Sequence, residues 1–426
     1  MTAPATAPSS SLGGQLAAPR SWRVPIVLAV VAVLSLIWFV VFGKDDPTRF
    51  TWSDPGDVLY LDPTPANPRV LGIVLGVLSL AAAAASFRWA WRRRPVPVWL
   101  SLIVGIAFLV SLVAWVGAGG QITVESLLTS TVSLSTAIVL GALAGVIGER
   151  VGVVNIAIEA QLLGGAFTAA VVATTTHSYE LALVAAMITG AAISAVLAWF
   201  AITFLVDQVV VGVVLIALVT AITNFFYQQV LADNSAQFND PGTLPRLAIP
   251  GLADIPVIGP VLFDQRLTVY LMFLLVPFVW FMLYKTRWGL RVRALGEHPL
   301  AADTVGIKVN RSRFWTVTLA GLIAGLGGAS LTIGYAGAFV QEMSAGKGFI
   351  ALAAVILGRW NPWYAALAAL LFGFATSFRI WAGGAGAAIP SDLIAMTPYL
   401  VTIIAVALVA GRVVAPKASG KPYIKS

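Results

Sequence analysis

Three polar side chains interrupt an apolar stretch at residues 153–174: Asn155, Glu159 and Gln161. A carboxylate inside a membrane-spanning helix costs roughly 2.5–3.5 kcal/mol on insertion scales, so it normally faces a partner or a water-filled path. Asn155 and Glu159 are four residues apart, which predicts that both lie on one helix face, with Gln161 pointing elsewhere. The residues form either a polar strip along a substrate route or a hydrogen-bonded clamp between helices.

A charged pair, Glu149 and Arg150, lies between Gly148 and Gly152. One interpretation is an ion pair at the end of a helix. The other is a broken helix that dips into the membrane near the substrate route. Both place the pair near the cytoplasmic end of a span.

The loop at 289–313 has the residue pattern of a short helix. Pro299 suits a helix start and Gly306 a helix end, which predicts a helix over Leu300–Val305. So short a helix is marginal in water and needs something to dock against. It is either a coupling helix in the groove of a cytoplasmic partner or an amphipathic turn on anionic lipid. Its short length and Asp303 within it favour the partner.

The residue types exclude several kinds of chemistry. The chain has no cysteine, and its two histidines, His177 and His298, lie far apart in sequence. Disulfides, thiolate metal sites and cysteine nucleophiles are therefore excluded, and we expect no enzyme. No stretch forms a P-loop, since the nearest, around Gly346–Gly348, lacks the first glycine and the Ser or Thr. If ATP drives this protein, another subunit must bind it.

The composition is that of a membrane protein. Hydrophobic residues make up 59% and charged residues 10%, whereas soluble domains are about 45–50% apolar and about 25% charged. We predict an all-α integral membrane bundle of about 12 transmembrane helices, because backbone groups in lipid need internal hydrogen bonds. The predicted spans lie near 24–43, 70–87, 98–117, 126–147, 153–174, 181–206, 209–230, 267–284, 314–336, 346–358, 363–380 and 392–411. Glycines four residues apart predict close helix packing at Gly72 and Gly76, Gly141 and Gly145, and Gly321 and Gly325.

Lysines and arginines cluster after the second and eighth stretches and at the C-terminus. With twelve spans these clusters fall on one side, which predicts that both termini are cytoplasmic. These cytoplasmic clusters account for the net charge of +8, so the charge does not imply a nucleic-acid partner. We predict a disordered tail at 1–22, a three-helix extension at 23–120, a core at 121–412 and a cytoplasmic tail at 413–426.

Two short, glycine-interrupted stretches break the pattern, at 145–161 and 346–362. They lie in opposite halves of the region 122–412, and their spans run in opposite directions. This is the signature of an inverted repeat, in which paired interrupted helices point to the transport site.

Three motifs resemble those of one family. They are GERVGVVNIAIE at 148–159, RALGEHPLAA at 293–302 followed by Gly306 and Ile307, and GKGFIALAAVILGRWNP at 346–362. Over about 122–412 the chain is similar to the permeases of bacterial ATP-binding-cassette (ABC) importers for nucleosides, within the simple-sugar and branched-chain amino-acid permease group. The sequence departs from the family's motif at Ala160, where the family usually has Gly. It departs again at His298, where Asn is usual and is the better helix N-cap.

The resemblance implies a type II importer permease core with inverted repeats, in the plasma membrane of a bacterium. It implies three partners: a cytoplasmic ATPase that binds ATP and Mg²⁺, a second homologous permease, and an extracytoplasmic substrate-binding lipoprotein. No cofactor is expected in this chain. The expected substrate-pathway residues are Asn155, Glu159, Gln161, Gly348 and Asn361. The expected ATPase-coupling residues are Arg293, Gly296, Glu297, His298, Pro299, Ala302, Asp303 and Gly306.

The expected substrate is a nucleoside, since an apolar pathway with few fixed charges suits a neutral polar ligand. A ribose-type sugar suits it equally, so the choice of nucleoside rests on the resemblance. The alternative from another class is a secondary transporter driven by protons or sodium. It would work without an ATPase and would lose activity when Glu159 is neutralised. The extension at 23–120 lies outside the resemblance.

Overall fold

The computed structural model describes residues 22–53, 59–94, 96–384 and 414–424. The chain divides into two compact units. The first comprises Met1–Arg49 and Pro65–Gln121, and the second comprises Phe50–Thr64 and Ile122–Ser426.

The first unit contains three long apolar helices: α1 (Arg23–Val41), α2 (Pro68–Trp91) and α3 (Val98–Val116). The Asn67 side chain accepts hydrogen bonds from two backbone N–H groups in the first turn of α2, and Pro68 is its first residue. Both features favour a helix start at this point. Three short strands occur in the connecting segments: β1 (Thr48–Thr51), β2 (Thr64–Ala66) and β3 (Gln121–Thr123).

Gly72 and Gly76 allow α2 to approach α1 closely. A methyl group at Gly72 would overlap the side chain of Phe39, and one at Gly76 would contact Leu36 at 2.9 Å. The predicted packing role of this pair is confirmed.

The helices of the second unit are α4 (Val124–Arg150), α5 (Ile158–Thr176), α6 (Tyr179–Thr203), α7 (Gln208–Phe226), α8 (Ser235–Phe238), α9 (Leu267–Lys285), α10 (Arg287–Glu297), α11 (Pro299–Thr304), α12 (Val309–Leu331), α13 (Lys347–Leu357) and α14 (Pro362–Gly384). Turns of π-helix extend α7 over Tyr227–Leu231 and α12 over Thr332–Ala336, and another forms Gly259–Phe263. Between α7 and α9, strand β4 (Arg246–Ala248) pairs antiparallel with β5 (Asp264–Arg266), with Arg246 opposite Arg266.

Helix α4 forms the centre of the second unit. Every residue from Leu134 to Glu149 is buried, and α4 packs against α12, α13 and α14. A helix that is apolar and buried on all sides is a core helix rather than a lipid-facing one.

Small residues allow the helices of this unit to approach closely. A methyl group at Gly321 or Gly325 in α12 would overlap atoms of α6, and one at Gly141 or Gly145 in α4 would press on α13 and the start of α5. Close backbone packing of this kind stabilises helix association in lipid, where the hydrophobic effect does not drive helices together. The predicted packing role of both pairs is confirmed.

Ten helices among the described residues are long and apolar enough to cross a membrane. The predicted span at 346–358 is corrected: α13 has 11 residues, or about 16 Å of helix, half of the ~30 Å that a span requires. Gly346 and Gly358 bound it, and the chain before it is not helical. The predicted span at 392–411 lies outside the described residues.

Candidate functional site

The chain breaks between α4 and α5. Helix α4 ends at Arg150, Gly152 has a φ of +95°, and α5 begins only at Ile158. The predicted span beginning at 153 is therefore corrected, because the chain turns at Gly152 and continues as non-helical backbone. Glu159 is the second residue of α5, whereas a span beginning at 153 would have placed it six residues after the start. Asn155 precedes the helix, so it shares no helix face with Glu159.

Helix α5 begins inside the bundle. A methyl group at Gly141 would lie 3.1 Å from Ile158, and one at Gly145 would lie 3.2 Å from it. These glycines precede the end of α4 by nine and five residues. The start of α5 therefore lies about 8–14 Å from that end, measured along α4.

A second break separates α12 from α13. Gly337 and Gly346 both have positive φ, +80° and +79°. The residues from 337 to 346, which lead into α13, are not helical. A methyl group at Gly141 would touch Ala351, and one at Gly145 would touch Val355. Helix α13 therefore lies along the same part of α4 as the start of α5.

The Glu159 carboxylate joins the two broken helices. Its Oε1 accepts hydrogen bonds from Ser344 Oγ at 2.6 Å and Gly346 N at 2.8 Å, and its Oε2 accepts one from Gly348 N at 2.6 Å. Glu159 lies in the first turn of α5, and Gly346 is the N-cap of α13. Glu159 is 7% exposed, and its carboxylate lies at two helix N-termini, where free N–H groups and the helix dipole favour negative charge.

Position 348 has room only for glycine. A methyl group there would overlap the backbone N and Cα of Glu159. The α13 backbone therefore approaches the start of α5 more closely than any side chain would allow. The structure thus brings two predicted pathway residues, Glu159 and Gly348, into direct contact.

Asn155 and Gln161 form a reciprocal amide pair. Asn155 Nδ2 donates to Gln161 Oε1 at 3.2 Å, and Gln161 Nε2 donates to Asn155 Oδ1 at 3.1 Å and to Ser194 Oγ at 2.8 Å. The expectation that Gln161 points away from Asn155 is corrected, because the segment before α5 folds back onto its first turn. Both amides are buried, and they fix that segment to α5 and α6.

Asn361 lies apart from the other predicted pathway residues. Its Oδ1 accepts a hydrogen bond from Trp363 N at 3.0 Å at the start of α14. This position follows the C-terminal end of α13, whereas Glu159 lies at its N-terminal end. A role for any of these five residues in substrate passage remains a prediction.

Glu149 and Arg150 hold the C-terminal end of α13. The Trp360 indole N–H donates to Glu149 Oε2, while Arg150 donates from Nε to Trp360 O at 3.1 Å and from Nη2 to Tyr284 OH at 3.1 Å. The interpretation of the two charges as an ion pair is corrected, since their side chains bond to Trp360 and Tyr284 instead. Helix α13 is therefore fixed at both ends, by Glu159 and by this pair.

The predicted coupling segment forms α10 and α11. Helix α11 spans Pro299–Thr304 and Gly306 follows with a φ of +84°, so the predicted short helix is confirmed, beginning and ending one residue earlier. Ala302 is buried, whereas Leu300 is 59% exposed and Val305 75% exposed. Helix α11 and its C-cap residue, Val305, therefore present apolar side chains outward.

Gly296 packs α10 against the end of α4. A methyl group at this position would overlap the carbonyl of Arg150, so the predicted coupling segment directly touches the break between α4 and α5. The other predicted coupling residues are Arg293 and Glu297 in α10, His298 between the helices, and Pro299 and Asp303 in α11.

The C-terminal residues make a contact that no pattern in the sequence predicts. Ala418 N donates to Gly296 O at 2.8 Å, and Gly420 N donates to Gly152 O at 3.3 Å. We call residues 416–423 the C-terminal strap. It links the predicted coupling segment to the turn that follows α4.

Arg313, near the start of α12, anchors the same strap. It is 2% exposed and donates from Nη1 to Lys421 O at 3.0 Å and from Nη2 to Leu295 O at 3.3 Å. Burial and the neighbouring Asp303 carboxylate raise the pKa of Tyr423, so the uncharged phenol is favoured there. In the sequence, Arg313 is one member of a basic cluster, and nothing in the pattern separates it from its exposed neighbours.

Residues 127–411 match the family described as branched-chain amino acid transport system / permease component. The guanosine ABC transporter permease protein NupQ of Bacillus subtilis is 41% identical over 307 residues, which cover 70% of this chain and 95% of NupQ. The nucleoside ABC transporter permease protein NupC of Lactococcus lactis is 37% identical over 317 residues, 71% of this chain and 98% of NupC. The putative glucose ABC transporter permease protein TsgC13 of Haloferax volcanii is 34% identical over 258 residues, 60% of this chain and 77% of TsgC13.

No solved structure matches the chain. The family match covers two thirds of the residues and includes both helix breaks, the predicted coupling segment and Arg313. Together with ten apolar helices of spanning length among the described residues, it shows that this is a multi-pass membrane protein that belongs to the branched-chain amino acid transport system permease family.

Proposed function

We propose that this chain is the membrane permease subunit of an ABC importer that moves nucleosides into the cell. The nucleoside assignment rests on NupQ and NupC, whose names give guanosine and nucleosides as substrates. The transport assignment rests on the paired helix breaks, since interrupted helices of this kind lie at transport sites. The observation that carries the proposal is the Glu159 carboxylate, which joins the N-termini of α5 and α13 inside the bundle.

The proposed mechanism is mechanical and makes no bond to the substrate. A cytoplasmic ATPase, which holds ATP and Mg²⁺, docks on the exposed side chains of Leu300 in α11 and Val305 at its end. When that ATPase moves, α10 moves with α11, and Gly296 transmits the shift to Arg150 because no side chain separates the two backbones. Arg150 and Glu149 then shift Trp360 and the C-terminal end of α13.

Glu159 determines how α13 responds to such a shift. Because its three hydrogen bonds fix the N-terminal end of α13 to α5, the two broken helices move as one body. A second permease completes the pathway, and a binding lipoprotein delivers the substrate on the outer side. The proposed topology has both termini in the cytoplasm of a bacterial cell, and the clusters of basic residues support it.

The test is uptake of radiolabelled guanosine, uridine, ribose and glucose by cells with and without this chain. We expect nucleoside uptake to fall when the chain is deleted and to fall equally when ATP is depleted, with sugar uptake unchanged. Loss of sugar uptake alone would move the chain to the sugar branch, for which TsgC13 is the relevant relative. Nucleoside uptake that survives ATP depletion but needs a proton or sodium gradient would refute the ABC mechanism.

A further inference from the structure

One end of the first unit carries five arginines: Arg23, Arg88, Arg92, Arg93 and Arg94. We call this the arginine end. All five residues are exposed. They lie where α1 begins and α2 ends, and the two helices meet there because the Trp22 ring lies 6.1 Å from Phe87 and 6.3 Å from Trp91.

The sequence of this unit supplies no counter-charge at the arginine end. Residues 1–44 and 68–120 contain no Asp or Glu. The nearest acidic residue of the unit in sequence, Asp45, pairs at 3.0 Å with Arg69, which is the second residue of the 24-residue helix α2 and so lies at its other end. One arginine in the last turn complements the helix dipole. The remaining four repel one another unless an anion from outside the unit neutralises them.

A cavity of about 580 Å³ opens among these residues, lined by Trp22, Phe87, Arg88, Trp91 and Arg92. The two guanidinium groups can each present a planar pair of N–H donors, which matches the oxygens of a phosphate. The three aromatic rings provide an apolar wall beside them. A ligand with a phosphate at one end and hydrocarbon at the other fits both parts of this lining.

The depth of the cavity along the helices fits a phospholipid headgroup. Trp89 and Trp99 pack together near the arginine end, with ring centroids 6.3 Å apart, and Trp38 and Trp115 pack near the opposite end, 5.5 Å apart. Tryptophans concentrate at the two membrane–water interfaces. The arginine end, at one of these aromatic belts, therefore lies at the level of lipid phosphates.

We propose that the arginine end binds the headgroup of an anionic phospholipid, with Arg88 and Arg92 on the phosphate and the aromatic rings against the adjoining part of the lipid. Each arginine near an anionic surface strengthens binding by about fivefold. The site gives the N-terminal unit a lipid-anchoring role, and it does not depend on what the second unit transports.

The test is lipid binding to the purified full-length chain in detergent, measured by native mass spectrometry. The probes are phosphatidylglycerol, which is anionic, and phosphatidylcholine, which has no net charge. We expect the wild-type chain to bind phosphatidylglycerol at least tenfold more tightly. The R88Q/R92Q variant should lose about 25-fold in that affinity. The matched control is R49Q/R69Q, which removes two positive charges near the opposite end of the same unit.

Three outcomes would overturn the proposal. The first is equal binding of the two lipids to the wild-type chain, which needs no variant to fold. The second is an equal loss of affinity in R49Q/R69Q, since general charge would then explain the binding. The third is displacement of phosphatidylglycerol by millimolar inorganic phosphate, which would make the site one for a free anion.

Discussion

The contact most open to a decisive experiment is the Glu159 carboxylate between α5 and α13. Replacing Glu159 by Gln keeps the size of the side chain but leaves one acceptor oxygen. If that oxygen keeps Ser344 and Gly346, the buried N–H of Gly348 faces an amide NH₂ and loses its partner. An unsatisfied buried donor costs about 1–3 kcal/mol, and each remaining hydrogen bond weakens by about 1 kcal/mol when the acceptor loses its charge. The total is about 3–5 kcal/mol.

This cost falls on the docking of α13. The assay is hydrogen exchange of the α13 amides, followed by mass spectrometry of the purified chain in detergent. Because each 1.4 kcal/mol is a factor of ten, E159Q should speed exchange in α13 by about 10²- to 4 × 10³-fold. Helices α1 to α3 should exchange as in the wild type. Nucleoside uptake should fall by at least tenfold in the same variant.

The matched control is Glu342→Gln, which makes the same chemical change two residues before Ser344. Glu342 is exposed, and its carboxylate accepts one long hydrogen bond, from Asn224 Nδ2 at 3.3 Å. We expect exchange and uptake to change by less than twofold. If the α13 amides of E159Q exchange hydrogen at the wild-type rate, the assigned role of Glu159 is refuted, whatever the result for uptake. Lost uptake with unchanged exchange would instead favour direct contact of Glu159 with the substrate or a proton.

Further substitutions test the other contacts. Gly348→Ala should abolish uptake and lower the melting temperature by several degrees, because the added methyl group overlaps the Glu159 backbone. The control is Gly105→Ala, whose methyl group has no neighbouring atom within 4 Å. It should change neither uptake nor the melting temperature. Arg313→Gln should free the C-terminal strap, so that a protease cleaves the C-terminal residues faster in the variant than in the wild-type chain. It should cut uptake at least tenfold while ATP hydrolysis by the assembled transporter continues; joint loss of both would contradict a coupling role. Leu300→Asp should reduce co-purification of the ATPase at least tenfold without changing the melting temperature of the isolated chain, and a lower melting temperature would assign Leu300 to the fold instead.

The sequence identifies the helices better than the breaks between them. Long apolar stretches have one stable form in lipid, and the glycine pairs report where backbones approach, so both were predictable. The length of α13 was not predictable, because the apolar run at 346–358 has the composition of a span. Only the φ values at Gly337 and Gly346 reveal where the helix starts.

The partners of polar residues were harder still to predict. A four-residue spacing brings Asn155 and Glu159 together only if the chain between them is helical. In the structure Asn155 lies before the helix and pairs with Gln161. The long-range partners of Glu159 and Arg313 lie 185 and 108 residues away, and local spacing carries no record of such contacts.

The position of Glu159 also bears on the charge of the substrate. Where interrupted helices meet in transporters, their N-terminal N–H groups commonly point at an anionic part of the substrate. Here the N–H groups of Gly346 and Gly348 point at a carboxylate that the protein supplies. An anionic substrate arriving at this point would meet a like charge and donors already occupied. A neutral polar molecule meets no such penalty, so the predicted passage of substrate beside Glu159 would favour a nucleoside or sugar over a nucleotide or an acid.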